Sequence, residues 1–186
     1  MAPIAPAAAT PDPGLVGRWR FEGNALDSSG NNLGGSLGGT GASFVSGMFG
    51  QALSVGGSGY VVVPDSSLLE PSTITVEAWV KRPEYPGSTR YIVSKYLPDR
   101  YGWYSSYGLY TSGGGVRFYI GKLSGWIGSP IGGSTIWDGN WHYVAGTFDG
   151  TSLKLYVDGA QVDGATAAVT DIYYSGEGNL FIGSYT

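Results

Sequence analysis

The sequence contains no cysteine and a single histidine among its 186 residues. The lack of cysteine excludes disulfide bonds, cysteine–zinc sites and thiol nucleophiles. Charged residues account for 13 % of the chain, which is about half of their usual share. The net charge is −4 and the ten lysines and arginines are scattered, so no basic surface for nucleic acid is expected. No apolar run approaches the roughly 18 residues of a membrane-spanning helix.

Glycine and aromatic residues are abundant instead. The chain has 33 glycines, and aromatic residues make up 14 % of it. No segment keeps the 3.6-residue apolar period of a helix for more than about one turn. Many glycines beside many aromatics are typical of short strands joined by tight turns. The length suits one large β-sandwich better than two domains.

Alternation of apolar and polar residues predicts the strands. Residues 74–81 place four aliphatic side chains on one face and Trp79 on the other. Residues 15–21 place Leu, Gly, Trp and Phe opposite Val and two arginines, which predicts a strand with one wet side. Residues 22–43, rich in Gly, Asn and Ser, are predicted to be a loop. Further strands are predicted at residues 51–55, 59–63, 91–95, 107–110, 116–120, 141–148, 153–157, 160–163 and 179–183.

Turn residues connect several of these strands into hairpins. Asp149-Gly150 separates the strands 141–148 and 153–157, and Asp158-Gly159 follows directly. Three glycines at 113–115 separate two further strands. Asp-Gly and Gly-Gly pairs are favoured in tight hairpin turns because their backbones accept positive φ. Strands with turns at roughly 8–15-residue spacing predict an antiparallel sandwich or barrel.

Five motifs in order resemble those of laminin-G-like domains. Residues 139–159, GNWHYVAGTFDGTSLKLYVDG, are similar to the signature hairpin of that family. The other matches are WRFE at 19–22 with DSSGN at 27–31, GQALSV at 50–55, TITVEAWV at 73–80 and NLFIGS at 179–184. The resemblance covers residues 14–186. It implies an all-β, two-sheet antiparallel jelly roll of the concanavalin A-like type, with Trp19, Trp79 and Trp141 in its core.

The resemblance also implies one more strand than the sequence shows. Family domains continue beyond the NLFIGS strand to a final strand beside the first one, whereas this sequence ends at Thr186. Strand 15–21 would then have an open edge, and open edges invite strand addition by another chain. We therefore expect self-association there, or pairing with the Ala/Pro-rich residues 1–13; a covering loop or a truncated sequence is the alternative. Those first 13 residues lack the pattern of a signal peptide and are predicted to be an extended tail.

The resemblance implies a structural calcium ion near the loop at residues 22–32. Calcium prefers carboxylate, amide and carbonyl oxygens on a flexible loop. By position, Asp27 is the candidate ligand, with Asn24 and Asn31 beside it. The alternative is an Asx-turn loop in which these side chains bond their own backbone.

Aromatic residues clustered in irregular segments are the candidate ligand-binding residues. Sugar rings stack their C–H faces on exposed aromatic rings, with polar groups nearby to accept and donate hydrogen bonds. One cluster lies between residues 96 and 107, and a further tryptophan follows at 126. The candidates are Tyr101, Trp103, Tyr104, Tyr107 and Trp126. The alternative is that these aromatics cap the sandwich or pack against another subunit.

An enzyme is disfavoured by the acidic residues. Glycoside hydrolysis requires two carboxylates about 5–10 Å apart, yet Glu77 has no acidic neighbour on its strand. His142, the sole histidine, lies in the middle of the signature hairpin, and no nucleophile-elbow motif accompanies it.

The expected function is a non-catalytic extracellular recognition or adhesion module that binds a glycan or a protein. A bacterial cell surface or secreted protein is the expected setting. The alternative is a structural subunit of a surface filament that assembles by strand addition. We expect no nucleic-acid partner and no membrane span.

Overall fold

The computed structural model of the protein describes residues 12–96, 105–176 and 178–183. Within these residues the chain forms β-strands and one 3₁₀ turn, Ser67–Leu69, and has no α-helix. No helix there is long and apolar enough to cross a membrane. The strands are β1 (Ser36–Gly38), β2 (Ala42–Ser46), β3 (Gln51–Val55), β4 (Tyr60–Val63), β5 (Ile74–Lys81), β6 (Tyr91–Tyr96), β7 (Ser105–Ser112), β8 (Gly115–Lys122), β9 (Gly125–Gly128), β10 (Trp141–Phe148), β11 (Ser152–Val157), β12 (Ala160–Gln161), β13 (Thr166–Ala167) and β14 (Leu180–Ile182).

Two main sheets form the sandwich. The seven-stranded sheet has the order β1-β4-β14-β6-β7-β8-β9, and the five-stranded sheet contains β12-β11-β10-β5 with β13 beside β11. All pairings are antiparallel, and β2 pairs with β3 in a separate hairpin. The two sheets meet where Phe118 of β8 packs on Gly146 of β10, because a Cβ at that glycine would lie only 2.2 Å from the Phe118 ring. The predicted two-sheet jelly roll is confirmed.

The predicted turn residues close the hairpins. Gly113 and Gly114 both have positive φ and connect β7 to β8, with Ser112 paired to Gly115. Asp158 and Gly159 also have positive φ, between the paired residues Val157 and Ala160. Two consecutive residues of positive φ are the type I′ geometry, whose twist matches that of the flanking strands.

The N-terminal prediction was wrong in part. Residues 15–21 form no strand; only an isolated bridge joins Trp19 to Asp27. The alternating polarity of this segment arises because one of its sides packs on the core, although the segment does not pair with a sheet. Trp19 packs against the core, and its indole Nε1 donates to the carbonyl of Leu33 at 2.8 Å. The loop predicted at 22–43 contains β1 and the start of β2, and β9 and β13 also lacked a strong alternating signal.

The core lies between the sheets and follows the period of two. Val116, Phe118 and Ile120 of β8 face inward and are fully buried. Val144 and Phe148 of β10 meet them from the five-stranded sheet, within one continuous apolar cluster. Each such aliphatic or aromatic side chain stabilises the fold by about 1.5–3 kcal/mol through burial.

Two tryptophans predicted to be in the core lie outside it. Trp79 and Trp141 alternate with the inward-facing aliphatic residues of β5 and β10, so both point away from the opposite sheet. Trp79 is 41 % exposed, and Trp141 is half-buried. The expectation failed because a sheet strand has two faces, and sequence position alone did not distinguish the face covered by the second sheet.

One lysine is buried inside the sandwich. Lys95 of β6 is 1 % exposed. Its ammonium forms an ion pair with the carboxylate of Asp65, donates to the carbonyl of Gly178, and lies 3.7 Å from a carboxylate oxygen of Glu70. A buried ammonium is tolerated only when such partners surround it. Lys95 therefore ties β6 to the chain around the 3₁₀ turn and to the residues that precede β14.

Candidate functional site

An aromatic surface covers the outer face of the seven-stranded sheet. We call it the Trp126 face and define it by Tyr91, Tyr110, Arg117, Tyr119 and Trp126. These residues lie on the adjacent strands β6, β7, β8 and β9. The strand register brings them together, since Tyr110 pairs with both Tyr91 and Arg117. Arg117 and Tyr119 alternate with the core residues of β8, so the surface lies opposite the core.

Glycines allow these side chains to lie across the strands. A Cβ at Gly108 would lie 2.6 Å from the Tyr119 ring, and a Cβ at Gly128 would lie 2.6 Å from Nε of Arg117. Both distances are too short for a real side chain. Tyr119 thus pairs in register with a glycine on each neighbouring strand, Gly108 and Gly128, and its ring lies over the first while the Arg117 side chain lies over the second.

The rings contact one another in sequence. The Tyr91 and Tyr110 ring centroids are 5.6 Å apart, those of Tyr110 and Tyr119 are 5.3 Å apart, and those of Tyr119 and Trp126 are 6.0 Å apart. The last two pairs are edge-to-face, a favourable geometry for aromatic quadrupoles. Tyr119 is buried beneath its neighbours, whereas Trp126 is 44 % exposed. Trp126 is therefore the most exposed ring of this face, whereas Tyr91 and Tyr110 are half-buried.

Arg117 supplies the charge of the Trp126 face. Its guanidinium carbon lies 5.0 Å from the centroid of the Trp126 ring, within the range of a cation–π contact. Its Nε donates to the carbonyl of Ser129 at 2.8 Å, which fixes the side chain. Within the part of the chain that the structure describes, no partner is seen for the two Nη groups. The face thus combines an exposed ring with oriented N–H donors.

The predicted ligand-binding residues fall in three different places. Trp126 lies on the surface just described. Tyr107 points the other way: it is 3 % exposed, and its hydroxyl donates to the carbonyl of Leu69 at 3.1 Å. Burial raises the pKa of Tyr107, with Glu70 and Asp65 adding to the effect, so this phenol stays protonated. Tyr101, Trp103 and Tyr104 lie outside the described residues, in the segment that joins β6 to β7.

Four members of the Trp126 face were missed in the sequence. They are Tyr91, Tyr110, Arg117 and Tyr119, which lie in regular strands, whereas the predicted binding residues are aromatics of segments that look irregular in the sequence. A signal was present, because Gly108 and Tyr110 alternate along β7 with Leu109 and Tyr107. Glycines on one face of adjacent strands, interleaved with tyrosines, indicate rings that lie flat on a sheet.

Asp27 organises the loop in which calcium was predicted. Its Oδ1 accepts hydrogen bonds from the backbone N–H groups of Arg18 and Ser29 at 2.9 and 2.8 Å. Its Oδ2 accepts from the hydroxyl of Ser29 at 2.7 Å and from the N–H of Leu33 at 3.1 Å. Partial burial raises the pKa of Asp27, but these hydrogen bonds outweigh it and hold that pKa below its usual value.

The two asparagines also bond to the backbone. Oδ1 of Asn24 accepts from the N–H of Leu26, and Nδ2 of Asn31 donates to the carbonyls of Leu15 and Val16. No group of three or more acidic, histidine or cysteine side chains arranged for a metal ion occurs in the described ranges. A carboxylate has about four lone-pair sites, and Asp27 uses four. The geometry thus fits the self-bonded loop better than a calcium site, and calcium binding stays a prediction.

The residues weighed for catalysis have structural partners. Glu77, on the outer face of β5, accepts a hydrogen bond from the hydroxyl of Tyr143. His142 lies between two carboxylates: Nδ1 is 2.7 Å from Asp158, and Nε2 is 3.1 Å from Asp138. The hydrogen bond with Asp158 is the main cause that raises the pKa of His142, with Asp138 adding to it.

An apolar cleft runs beside β5, which ends the five-stranded sheet. The main sheets end in β1, β9, β12 and β5, and these have 3, 4, 2 and 8 residues, so β5 is by far the longest edge. The cleft has a volume of about 1190 Å³. It separates β5 from residues 14–21, and its lining includes Trp19, Phe21, Ile74, Ala78, Ile92 and Leu180. The prediction of an open edge at residues 15–21 was wrong, because those residues form no strand; the longest edge strand is β5 instead.

Comparison with solved structures shows the same fold in domains of other proteins. The fourth domain of AbnA, an extracellular arabinanase from Geobacillus stearothermophilus solved with arabinotriose, is 19 % identical, with a TM-score of 0.70 over 91 % of this chain and 83 % of that domain. The binding domain of botulinum neurotoxin DC, solved with rat synaptotagmin II, is 12 % identical, with a TM-score of 0.64 over 87 % of this chain and 41 % of that one. The binding domain of Paraclostridial Mosquitocidal Protein 1 is 15 % identical, with a TM-score of 0.56 over 86 % of this chain and 45 % of that one. The chain thus spans less than half of the two toxin domains.

No curated protein matches the sequence. A family model does: the model of the laminin-G-like family described as the concanavalin A-like lectin/glucanases superfamily matches residues 55–186. This range starts at the end of β3 and contains both strands of the signature hairpin and every member of the Trp126 face. The chain therefore belongs to the laminin-G-like family of the concanavalin A-like lectin/glucanases superfamily.

Proposed function

We propose that the protein is a non-catalytic recognition module of a secreted or cell-surface protein and that it binds a glycan on the Trp126 face. The observation that carries the proposal is the exposed Trp126 ring with the Arg117 guanidinium held 5.0 Å from its centroid. The family contains both lectins and glucanases, so membership alone leaves the function open. The AbnA domain shares only the fold, and its arabinotriose suggests a probe for the experiment below.

The chemistry of the Trp126 face suits a sugar. The apolar C–H face of a pyranose or furanose ring stacks on an indole, while the hydroxyl oxygens around it accept hydrogen bonds from a guanidinium. Arg117 is fixed by Ser129 and by the ring, so little side-chain entropy is lost when the ligand binds. The buried Tyr119 ring supports Trp126 through an edge-to-face contact.

Replacing Trp126 tests the proposal. We expect Trp126→Ala to weaken glycan binding by about tenfold or more, which corresponds to about 1.4 kcal/mol, because the stacking surface is lost. A glycan array identifies the ligand, and isothermal titration calorimetry then compares the variants. Arg117→Lys keeps the charge but loses the planar donors, and we expect it to weaken binding as well.

The matched control is Val169→Ala, at a position that is 88 % exposed and lies outside the Trp126 face. It should leave the affinity unchanged. Equal affinity of the native protein and the folded Trp126→Ala variant would show that the ligand binds elsewhere. The absence of binding to every glycan on the array would contradict the glycan class itself.

The cleft beside β5 favours a second candidate, assembly by strand addition. An eight-residue edge strand next to an apolar cleft can accept an extended strand that continues the sheet and fills the cleft. In this alternative, a second copy of the chain supplies that strand, and the protein is a subunit of a filament.

Size-exclusion chromatography with light scattering tests this assembly. We expect concentration-dependent oligomers, which Ala78→Lys should dissociate, because the charged side chain would enter the apolar cleft. Val169→Lys adds the same charge at a position that is 88 % exposed and lies outside the cleft lining, and it is the control. A monomer at every concentration would exclude assembly of the isolated chain.

A further inference from the structure

A second group of aromatic residues lies on the outer face of the five-stranded sheet. Trp79 of β5 pairs in register with Tyr143 of β10, and their ring centroids are 5.5 Å apart. The turn between β2 and β3 brings Phe49 to an edge-to-face contact with Trp79 at 6.0 Å. Trp79 is 41 % exposed and Phe49 is 66 % exposed. We call Phe49, Glu77, Trp79 and Tyr143 the Trp79 platform.

A carboxylate lies within this aromatic group. Glu77 is exposed on β5, two residues from Trp79, and accepts a hydrogen bond from the Tyr143 hydroxyl. Partial burial and the Glu77 carboxylate raise the pKa of Tyr143 to about 12, so the phenol remains the donor at neutral pH. This bond uses one carboxylate oxygen, Oε2, and no further partner of Glu77 is seen within the described part of the chain.

The next outward-facing residue of β5 after Trp79 is Lys81, whose charge is opposite to that of Glu77. Lys81 pairs in register with Trp141, and its ammonium lies 6.0 Å from the centroid of that ring. The outer face of β5 therefore presents an acceptor at Glu77, a ring at Trp79 and a donor at Lys81, with alternate residues of one strand about 7 Å apart. The two charges balance, so this row of groups carries no net charge.

We propose that the Trp79 platform is a second carbohydrate-binding site, for a neutral oligosaccharide whose ring stacks on Trp79 and whose hydroxyls donate to Glu77. An apolar peptide would stack as well, but it would leave the other carboxylate oxygen of Glu77, Oε1, desolvated without a donor, which is costly. Sugar hydroxyls remove that cost because each donates and accepts. The balanced charge of Glu77 and Lys81 favours a neutral ligand over an acidic one.

The platform is separate from the Trp126 face. The two lie on the outer faces of different sheets, with the core between them. They also differ in polarity, since the Trp126 face offers the N–H donors of Arg117, whereas the platform offers a carboxylate acceptor. This inference therefore does not rest on the proposed function, and either site can fail without the other.

Nuclear magnetic resonance of the tryptophan indole N–H groups tests the proposal on the full chain. The chain has six tryptophans, and Trp→Phe variants assign their signals one by one. The probes are arabinotriose and cellotetraose at millimolar concentration. We expect at least one of them to shift the Trp79 signal in a saturable manner, and Glu77→Ala to weaken that binding by about fivefold or more. Thr75→Ala, on the same face of β5, is the control and should leave the titration unchanged.

Three results would overturn the proposal. The first is a Trp79 signal that neither sugar moves, whatever happens at Trp126. The second is a titration that Glu77→Ala leaves unchanged. The third is a Trp79 signal that moves with protein concentration instead of sugar concentration, which would assign the platform to contact with a second copy. A shift at Trp79 alone would support the platform and show that it binds these sugars independently of the Trp126 face.

Discussion

Replacement of Lys95 by methionine should lower the free energy of unfolding by about 2–4 kcal/mol. Methionine fills nearly the same volume but removes the ammonium from between Asp65, Glu70 and the Gly178 carbonyl. Removing one partner of a buried ion pair costs about 3–5 kcal/mol, because the other charge remains buried. The side chains of Asp65 and Glu70 keep 24 % and 30 % of their surface exposed, so partial hydration reduces that cost.

Thermal and urea unfolding measure this loss. For a domain of this size, 1 kcal/mol shifts the melting temperature by about 2–4 °C, so we expect a decrease of roughly 5–15 °C. Lys154→Met is the matched control, since Lys154 is 34 % exposed and lies 3.6 Å from Asp149 in a surface pair. Surface pairs contribute about 0–1 kcal/mol. Equal losses for the two variants would refute the reasoning.

A double-mutant cycle separates the lost attraction between Lys95 and Asp65 from the cost of leaving the Asp65 carboxylate without its partner. If the unpaired Asp65 carboxylate causes much of the loss, then Asp65→Asn added to Lys95→Met should restore part of the stability, because it neutralises that carboxylate. Strictly additive losses would instead show that the two side chains do not interact energetically.

Two further predictions concern pH and calcium. The Asp158 and Asp138 carboxylates raise the pKa of His142, so the stabilisation from this cluster is present below the ordinary histidine pKa of about 6.5 and is lost as the pH rises through the raised value. The melting temperatures of the native protein and His142→Gln should therefore differ more at pH 6 than at pH 9, and a constant difference would contradict this. Asp27→Ala should cost about 1–3 kcal/mol because three backbone N–H groups lose their acceptor. If the loop is held by its own hydrogen bonds alone, this loss should be the same in calcium chloride and in EDTA; a calcium-dependent rise in the melting temperature that Asp27→Ala abolishes would instead support the predicted calcium site.

The sequence predicted only one residue of the Trp126 face, Trp126 itself. That prediction was possible because Trp126 lies near a glycine-rich loop, where a large side chain is readily exposed to solvent. Tyr107 was assigned to the same surface, although its neighbour Gly108 is the residue that faces outward beneath Tyr119. One residue along a strand reverses the face, so a correct cluster can contain a residue that points into the core.

The sequence by itself determined the fold class, most strands and their turns. Alternating polarity sets which residues of a strand share a face, and glycine and aspartate at defined positions set the hairpins, because both depend on local backbone geometry. Only the tertiary structure decided which face is covered by the second sheet, and hence that Trp79 is exposed. It also decided that residues 15–21 pack without pairing, that β5 is the open edge and that Lys95 meets its carboxylates. These features depend on contacts between residues far apart in the chain, and a local pattern carries no information about its distant partner.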